Sequence, residues 1–177
     1  PTVLSCLTGQ ADSRLLPTLA LARTYRKALE SRASATPRQH DLTSGVNLRA
    51  HILELLEQGS GLRGAIDNLL LTSGFQAALE LVAGVLLSPG DVVAVEGMGA
   101  RKHWDILCRA GADLEPVAVD EEGLDVEALE ALAQRRPVRA VLLSPRCQYP
   151  TTVALSARRR KVLLRWAVAQ GVALLEC

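Results

Sequence analysis

The chain has 177 residues, a net charge of +1 and 49% apolar residues. That length is enough for one domain with a proper core. The balance excludes a disordered tail and a strongly basic nucleic-acid or membrane arm, and no apolar run approaches the ~20 residues of a membrane span. Cys6, Cys108, Cys147 and Cys177 are scattered without a CxxC pair, and His40, His51 and His103 form no ligand pattern. The expectation is reduced thiols in a cytoplasmic protein, and no metal site.

Residues 1–16 read as irregular, with a short extended piece at 3–7. The start Pro1-Thr2-Val3 has no basic region followed by a long apolar core, so no signal peptide is expected. It also lacks an initiator Met, which suggests a processed or cut N-terminus. Pro17 suits the first turn of a helix running to about Ser31, because its missing N–H costs nothing there. Residues 31–41 hold Ser, Thr, Pro and Gln and read as a loop. Ser44 or Gly45 opens a second helix with Leu48, Ile52, Leu55 and Leu56 on one face, ending at Gly59-Ser60-Gly61.

From Asn68 the pattern becomes regular. Short Val/Leu-rich runs at 69–72, 92–95, 114–119, 138–143 and 172–175 read as strands. Helical segments lie between them at about 75–87, 100–110, 125–135 and 156–170. Pro89-Gly90-Asp91 breaks one helix, Gly111 and Gly171 close two others, and Asp120-Glu121-Glu122-Gly123 forms a solvated turn. The strand runs are continuous rather than alternating, as expected when helices cover both faces. The chain is therefore expected to be α/β, a three-layer α/β/α arrangement around a mostly parallel sheet. The division expected is an N-terminal arm and helix over 1–40 and a larger domain over 41–177.

Physics alone marks the stretch 69–79 as a candidate binding site. An apolar run turns at Ser73-Gly74 directly into a helix. Such a turn aims several backbone N–H groups, and the positive end of the helix dipole, at one spot. Gly74 lets the backbone approach a ligand closely. A tight βα turn in any α/β protein reads the same way. Other motifs are weaker. Gly97-Met98-Gly99 follows a strand, but Lys102 stands at the third glycine of a dinucleotide fingerprint. Gly59-Ser60-Gly61-Leu62-Arg63-Gly64 follows a helix and reads as a loop. The run Arg158-Arg159-Arg160-Lys161 reads as a solvated helix face. No GxSxG elbow is present.

Several segments together resemble one family, the fold-type-I pyridoxal-phosphate aminotransferases, and most of all the aminotransferase-like domain of MocR-type regulators of the GntR family. They are Gly9-Gln10-Ala11-Asp12 with Leu15-Leu16-Pro17, Gly45-Val46-Asn47-Leu48-Arg49, Leu62-Arg63-Gly64, Thr72–Leu79, Leu87–Glu96 and Ser144–Thr151. They follow the family's order over nearly the whole chain. The resemblance implies pyridoxal 5′-phosphate as cofactor, with Ser73, Gly74, Phe75 and Gln76 around its phosphate and Gln148 and Tyr149 near its ring. It implies an amino-acid-like small molecule as ligand and a homodimer in the parent protein. DNA would be reached only through a winged-helix module, which these residues do not contain. The parent would transaminate or sense an amino acid.

The chain also departs from the family pattern. Thr152 stands for the glycine after "P-T", Ala100 for the ring-stacking tyrosine, and Cys177 for the aspartate that pairs with the pyridine nitrogen. Phe75 replaces a small polar residue. None of Lys27, Lys102 and Lys161 has the context of the Schiff-base lysine, so the chain alone is expected to be inactive. The alternatives are an effector domain of a regulator and a non-catalytic remnant. In the family sheet the strand before the phosphate turn sits beside the last strand. Here that partner is missing, so the isolated chain is expected to leave apolar surface exposed and to be unstable.

Overall fold

The computed structural model describes residues 12–32 and 42–177. The extended piece expected at 3–7, the segment at 9–11 and residues 33–41 of the loop expected at 31–41 lie outside the described residues, while Ser31 and Arg32 are helical. The chain divides into two compact units, Pro1–Leu70 and Leu71–Cys177.

The first unit carries two helices, α1 (Thr18–Arg32) and α2 (Leu42–Ser60), with short 3₁₀ turns at Ser13–Leu15 and Ile66–Asn68. Pro17 stands just before α1, where its missing N–H is harmless. On α2, Ile52 and Leu56 are half-buried, whereas Leu48 and Leu55 of the expected face are exposed. Arg63 reaches back to Glu57 at 2.9 Å, an exposed pair of little energetic weight.

The second unit is the α/β body. It contains α3 (Phe75–Leu86), β1 (Val92–Glu96), α4 (Arg101–Arg109), β2 (Asp113–Val117), β3 (Val119–Asp120), β4 (Gly123–Leu124), α5 (Val126–Arg135), β5 (Val138–Leu143), α6 (Ala157–Gln170) and β6 (Ala173–Glu176). Four strands form one parallel sheet in the order β2-β1-β5-β6. β3 and β4 pair as a small antiparallel hairpin, so the acidic turn at 120–123 is the tip of a ribbon.

Successive residues of a strand point to opposite faces, and the two cores follow that rule. Val93 and Val95 of β1 and Ala140 and Leu142 of β5 pack with Leu79 and Ala83 of α3 and Ile106 and Leu107 of α4. Ala94 of β1 and Val141 and Leu143 of β5 pack on the other side with Leu129 and Leu132 of α5 and Leu163 of α6. Helices therefore cover both faces, which is why β1 over 92–95 and β5 over 140–143 are continuously apolar.

The helix ends are set by local chemistry. Asp125 caps α5, its Oδ1 accepting from the N–H of Glu127 at 3.0 Å and of Ala128 at 3.1 Å. Ser156 caps α6, its Oγ accepting from the N–H of Arg159 at 3.3 Å. Gly171 ends α6 in the left-handed conformation, φ 66° and ψ 29°. Arg139 donates to the last-turn carbonyl of Leu86 at 3.2 Å.

The run 69–72 is not a strand, contrary to the sequence expectation. It is extended but pairs with nothing in the sheet, and Leu70 and Leu71 are exposed. An apolar run becomes a strand only where a neighbour takes its backbone hydrogen bonds, and none of the four sheet strands pairs with it.

Arg159 is only 12% exposed and pins the hairpin to α6. It pairs with Asp120 and donates to the carbonyl oxygens of Gly123 at 2.9 Å and Leu124 at 3.3 Å. Its guanidinium, aided by the N–H of Glu122, holds the Asp120 carboxyl below the usual carboxylate range, and Arg158 and Ser156 do the same for Glu122. A carboxyl depressed in the folded state contributes stability above its unfolded value near pH 4, and that contribution is lost as pH falls through the folded value. Thermal melts between about pH 6 and pH 2 check this: the wild type should lose more stability over the acid limb than Arg159→Met, whose curve should be flatter.

Candidate functional site

In open parallel sheets, ligands sit outside the carboxyl ends of the strands. Here those ends present Glu96 on β1, Ser144 after β5 and Glu176-Cys177 on β6. The loops that follow β1 and β5, and the turn into α3, hold the candidate groups.

The first is the turn into α3. Gly74 is its N-cap, with φ 126° and ψ 175°, a conformation essentially confined to glycine. The first intrahelical bond runs from the N–H of Ala78 to the carbonyl of Gly74 at 3.1 Å. The N–H groups of Phe75, Gln76 and Ala77 precede it, and no side chain caps them. A Cβ built on Gly74 would meet no atom within 4 Å, so the space over the turn is open. Thr72 Oγ1 donates to the Gly74 carbonyl at 3.0 Å and steadies the turn. Ser73, Gly74 and Gln76 are exposed, and Phe75 is half-buried.

The Phe75 ring lies against His103 of α4, centroids 4.7 Å apart and tilted by 58°. Burial, with Lys102 adding to it, holds the His103 imidazole below its usual value. A neutral ring is therefore what this pair offers near neutral pH. Trp104, one residue on, lays its indole against Gly99, where an added Cβ would come within 3.1 Å of the ring.

The second candidate region spans 144–153. Gln148 is 1% exposed and fully engaged. Its Nε2 donates to the Met98 carbonyl at 2.6 Å, and its Oε1 accepts from Thr151 Oγ1 at 2.6 Å and Thr151 N–H at 3.2 Å. Its own N–H goes to the Val153 carbonyl at 2.9 Å, and Thr152, with φ 63°, returns an N–H to the Gln148 carbonyl at 2.6 Å. Tyr149 is 63% exposed and precedes a cis peptide to Pro150. Gln148 thus joins the loop after β5 to the loop after β1, while Tyr149 faces solvent.

Glu96 is the residue that sequence reasoning missed. It is 7% exposed, and its Oε2 accepts from the N–H of Ser144 at 3.2 Å. Burial pushes its carboxyl up, opposed by hydrogen bonds from Ser144 and Gln148. A charged residue at the end of a strand ordinarily reads as solvated, and its only signal was its place in the segment 87–96. Beyond Ser144, its Oγ lies 2.9 Å from Cys177 Sγ.

The donor set suits an anion at the α3 turn: open space, a glycine that carries no Cβ, and three N–H groups at a helix start. That is a fit for the phosphate of pyridoxal phosphate. At the strand ends the ionisable groups are Glu96, Glu176 and Cys177.

No family model matches the chain. It is 36% identical over 156 residues to the vitamin B6 salvage pathway transcriptional repressor PtsJ of Salmonella typhimurium, covering 88% of this chain and 34% of PtsJ. It is 31% identical over 127 residues to the probable rhizopine catabolism regulatory protein MocR of Rhizobium meliloti, covering 71% of this chain and 25% of that protein. Among solved structures it matches LysN, an α-aminoadipate aminotransferase from Thermus thermophilus complexed with N-(5′-phosphopyridoxyl)-L-leucine. That match has a TM-score of 0.78 and 27% identity, over 95% of this chain and 42% of LysN. The chain thus spans a quarter to two fifths of the length of these relatives. No described helix is long and apolar enough to cross a membrane. The homologues of this chain are MocR-type transcriptional regulators and pyridoxal-phosphate-dependent aminotransferases, and its α/β body has the fold of the fold-type-I aminotransferases it matches.

Proposed function

We propose that this chain supplies the phosphate-holding part of a pyridoxal-phosphate site, in an aminotransferase-like domain that serves as the effector unit of a MocR-type regulator. The observation that carries the reading is the α3 turn. Its open space, its Gly74 backbone and the N–H groups of Phe75, Gln76 and Ala77 suit a dianion. Identity of 36% to the PtsJ repressor, against 29% to a 2-aminoadipate transaminase, supports sensing over turnover.

In this reading Gly74 and the first turn of α3 hold the phosphate, with Ser73 and Gln76 at its margin. The Phe75–His103 pair walls the turn on the α4 side. Gln148 fixes the relative setting of the loops after β1 and β5, and Tyr149 offers an exposed hydroxyl beside them. The cofactor, when bound, supplies a ring that withdraws electrons from an attached amino group. The ligand sensed is an amino-acid-like small molecule. The working protein is a cytoplasmic homodimer that reaches DNA through a separate winged-helix module.

An absorbance titration with pyridoxal phosphate, repeated with rising inorganic phosphate, tests the reading. Saturable binding that phosphate displaces is the expected result. Absence of binding, or binding indifferent to phosphate, overturns it.

A further inference from the structure

We propose that Glu96 is a positioning residue: its buried carboxylate ties the loop after β5 to the loop after β1, and so sets Gln148 and Tyr149 for any ligand at the carboxyl end of the sheet. The inference rests on the proposed function only for the identity of that ligand.

The geometry is a closed chain of polar contacts. Glu96 ends β1 and takes the N–H of Ser144, the first residue after β5, at 3.2 Å. Four residues on, buried Gln148 gives its Nε2 to Met98, two residues after Glu96, at 2.6 Å. Two loops that are 48 and 50 residues apart along the chain are thus bolted together at two points. Both bolts are partly buried and each has one buried side chain, Glu96 or Gln148, for which a lost partner is costly. Hydrogen bonds inside the 148–153 turn then transmit the setting to Tyr149 and Pro150.

A carboxylate accepts from the Ser144 N–H with either oxygen, whereas a protonated carboxyl gives up part of that capacity. The lock should therefore loosen when Glu96 takes a proton, and burial brings that event above the usual carboxylate range. Burial and hydrogen bonds set the direction of the Glu96 shift. Alternation puts it on the face of Ala94, towards the α5 and α6 side. There Asp120, Glu122 and Arg159 pair with one another, and Asp125 caps α5. On α4, Lys102 acts on His103. Around β6, Arg146 pairs with Glu176 at 3.5 Å, and Cys177 Sγ lies 2.9 Å from Ser144 Oγ.

The test is a pH titration followed by NMR on the whole chain without ligand, reading the Ser144 amide and the Glu96 side-chain carboxyl carbon. The two should move together, with one midpoint above the usual glutamate range, and the Ser144 step should be lost in Glu96→Gln. A Ser144 amide that does not titrate, or that titrates identically in Glu96→Gln, overturns the proposal. The wild-type carboxyl signal decides the matter even if the variant fails to fold, since a midpoint apart from that of Ser144 also overturns it. In a second arm, pyridoxal phosphate affinity should weaken as wild-type Glu96 is protonated and stay weak at every pH in Glu96→Gln. If pyridoxal phosphate binds neither form, the functional reading fails, while the Ser144 result still decides the positioning role.

Discussion

Gly74→Ala should weaken binding of both inorganic phosphate and pyridoxal phosphate by about tenfold or more. The space over Gly74 is open, so the added methyl clashes with nothing. The cost is backbone strain, because φ 126° with ψ 175° is a region that L side chains avoid, at about 1–3 kcal/mol. The chain can relieve that strain only by rotating the peptide that leads into α3. That rotation turns the donor groups of the first helical turn away from their common focus, and about 1.4 kcal/mol is a tenfold change in affinity. The control is Gly84→Ala, inside α3, where a Cβ also meets nothing within 4 Å. Alanine there should leave binding unchanged and stabilise the helix by about 0.5–1 kcal/mol. Titrations of both variants with phosphate check the pair. Equal affinity in Gly74→Ala and the wild type would remove the turn from any role in anion binding.

Leu129→Ala should be the most damaging simple truncation in the α/β body, at about 2–5 kcal/mol. Leu129 is 0% exposed and sits on α5 among Ala94, Val141, Leu143 and Leu163. Its loss opens a cavity between the sheet and the α5–α6 layer, which rigid strands cannot collapse to fill. For a unit of about this size each kcal/mol lowers the melting temperature by about 4–8 °C. Calorimetry or circular dichroism reads the effect directly. Leu81→Ala is the contrast: Leu81 lies on the outer face of α3 and is half exposed, and its loss should be small.

The α/β body was legible because each of its elements is specified by several signals at once. Val/Leu-rich runs marked β1, β5 and β6, while the run at 114–119 marked β2 less cleanly, through Glu115 and Pro116. Pro89-Gly90, Gly111 and Gly171 marked the ends of three helices, while the caps Asp125 and Ser156 at the starts of two came only from the structure. The run 69–72 carried only one signal, apolarity, and that signal does not say whether a partner strand exists. Part of the 114–119 run became β3 of a hairpin, because Asp120 and Gly123 close a ribbon that Arg159 holds in place. The candidate site divides in the same way. Gly74 was readable from a local rule about helix starts. The buried contacts of Glu96 and Gln148 were not, since they join residues about 50 apart, and no local pattern records such a juxtaposition.

The two flanks of the four-stranded sheet differ in what they would accept. β2 bears Asp113, Glu115 and Pro116, with Arg136 bridging both acids. Its proline removes a donor, and its charges penalise any strand that comes alongside. β6 reads Ala-Leu-Leu-Glu, has no proline, and carries a single charge at its end, Glu176, paired with Arg146 at 3.5 Å, so its guard is weaker. The sheet therefore has a polarity of growth. Further pairing, by more polypeptide or by a second copy of the chain, is directed to the β6 flank and discouraged at the β2 flank. Attempts to keep the isolated chain from self-associating should accordingly place their charges on β6.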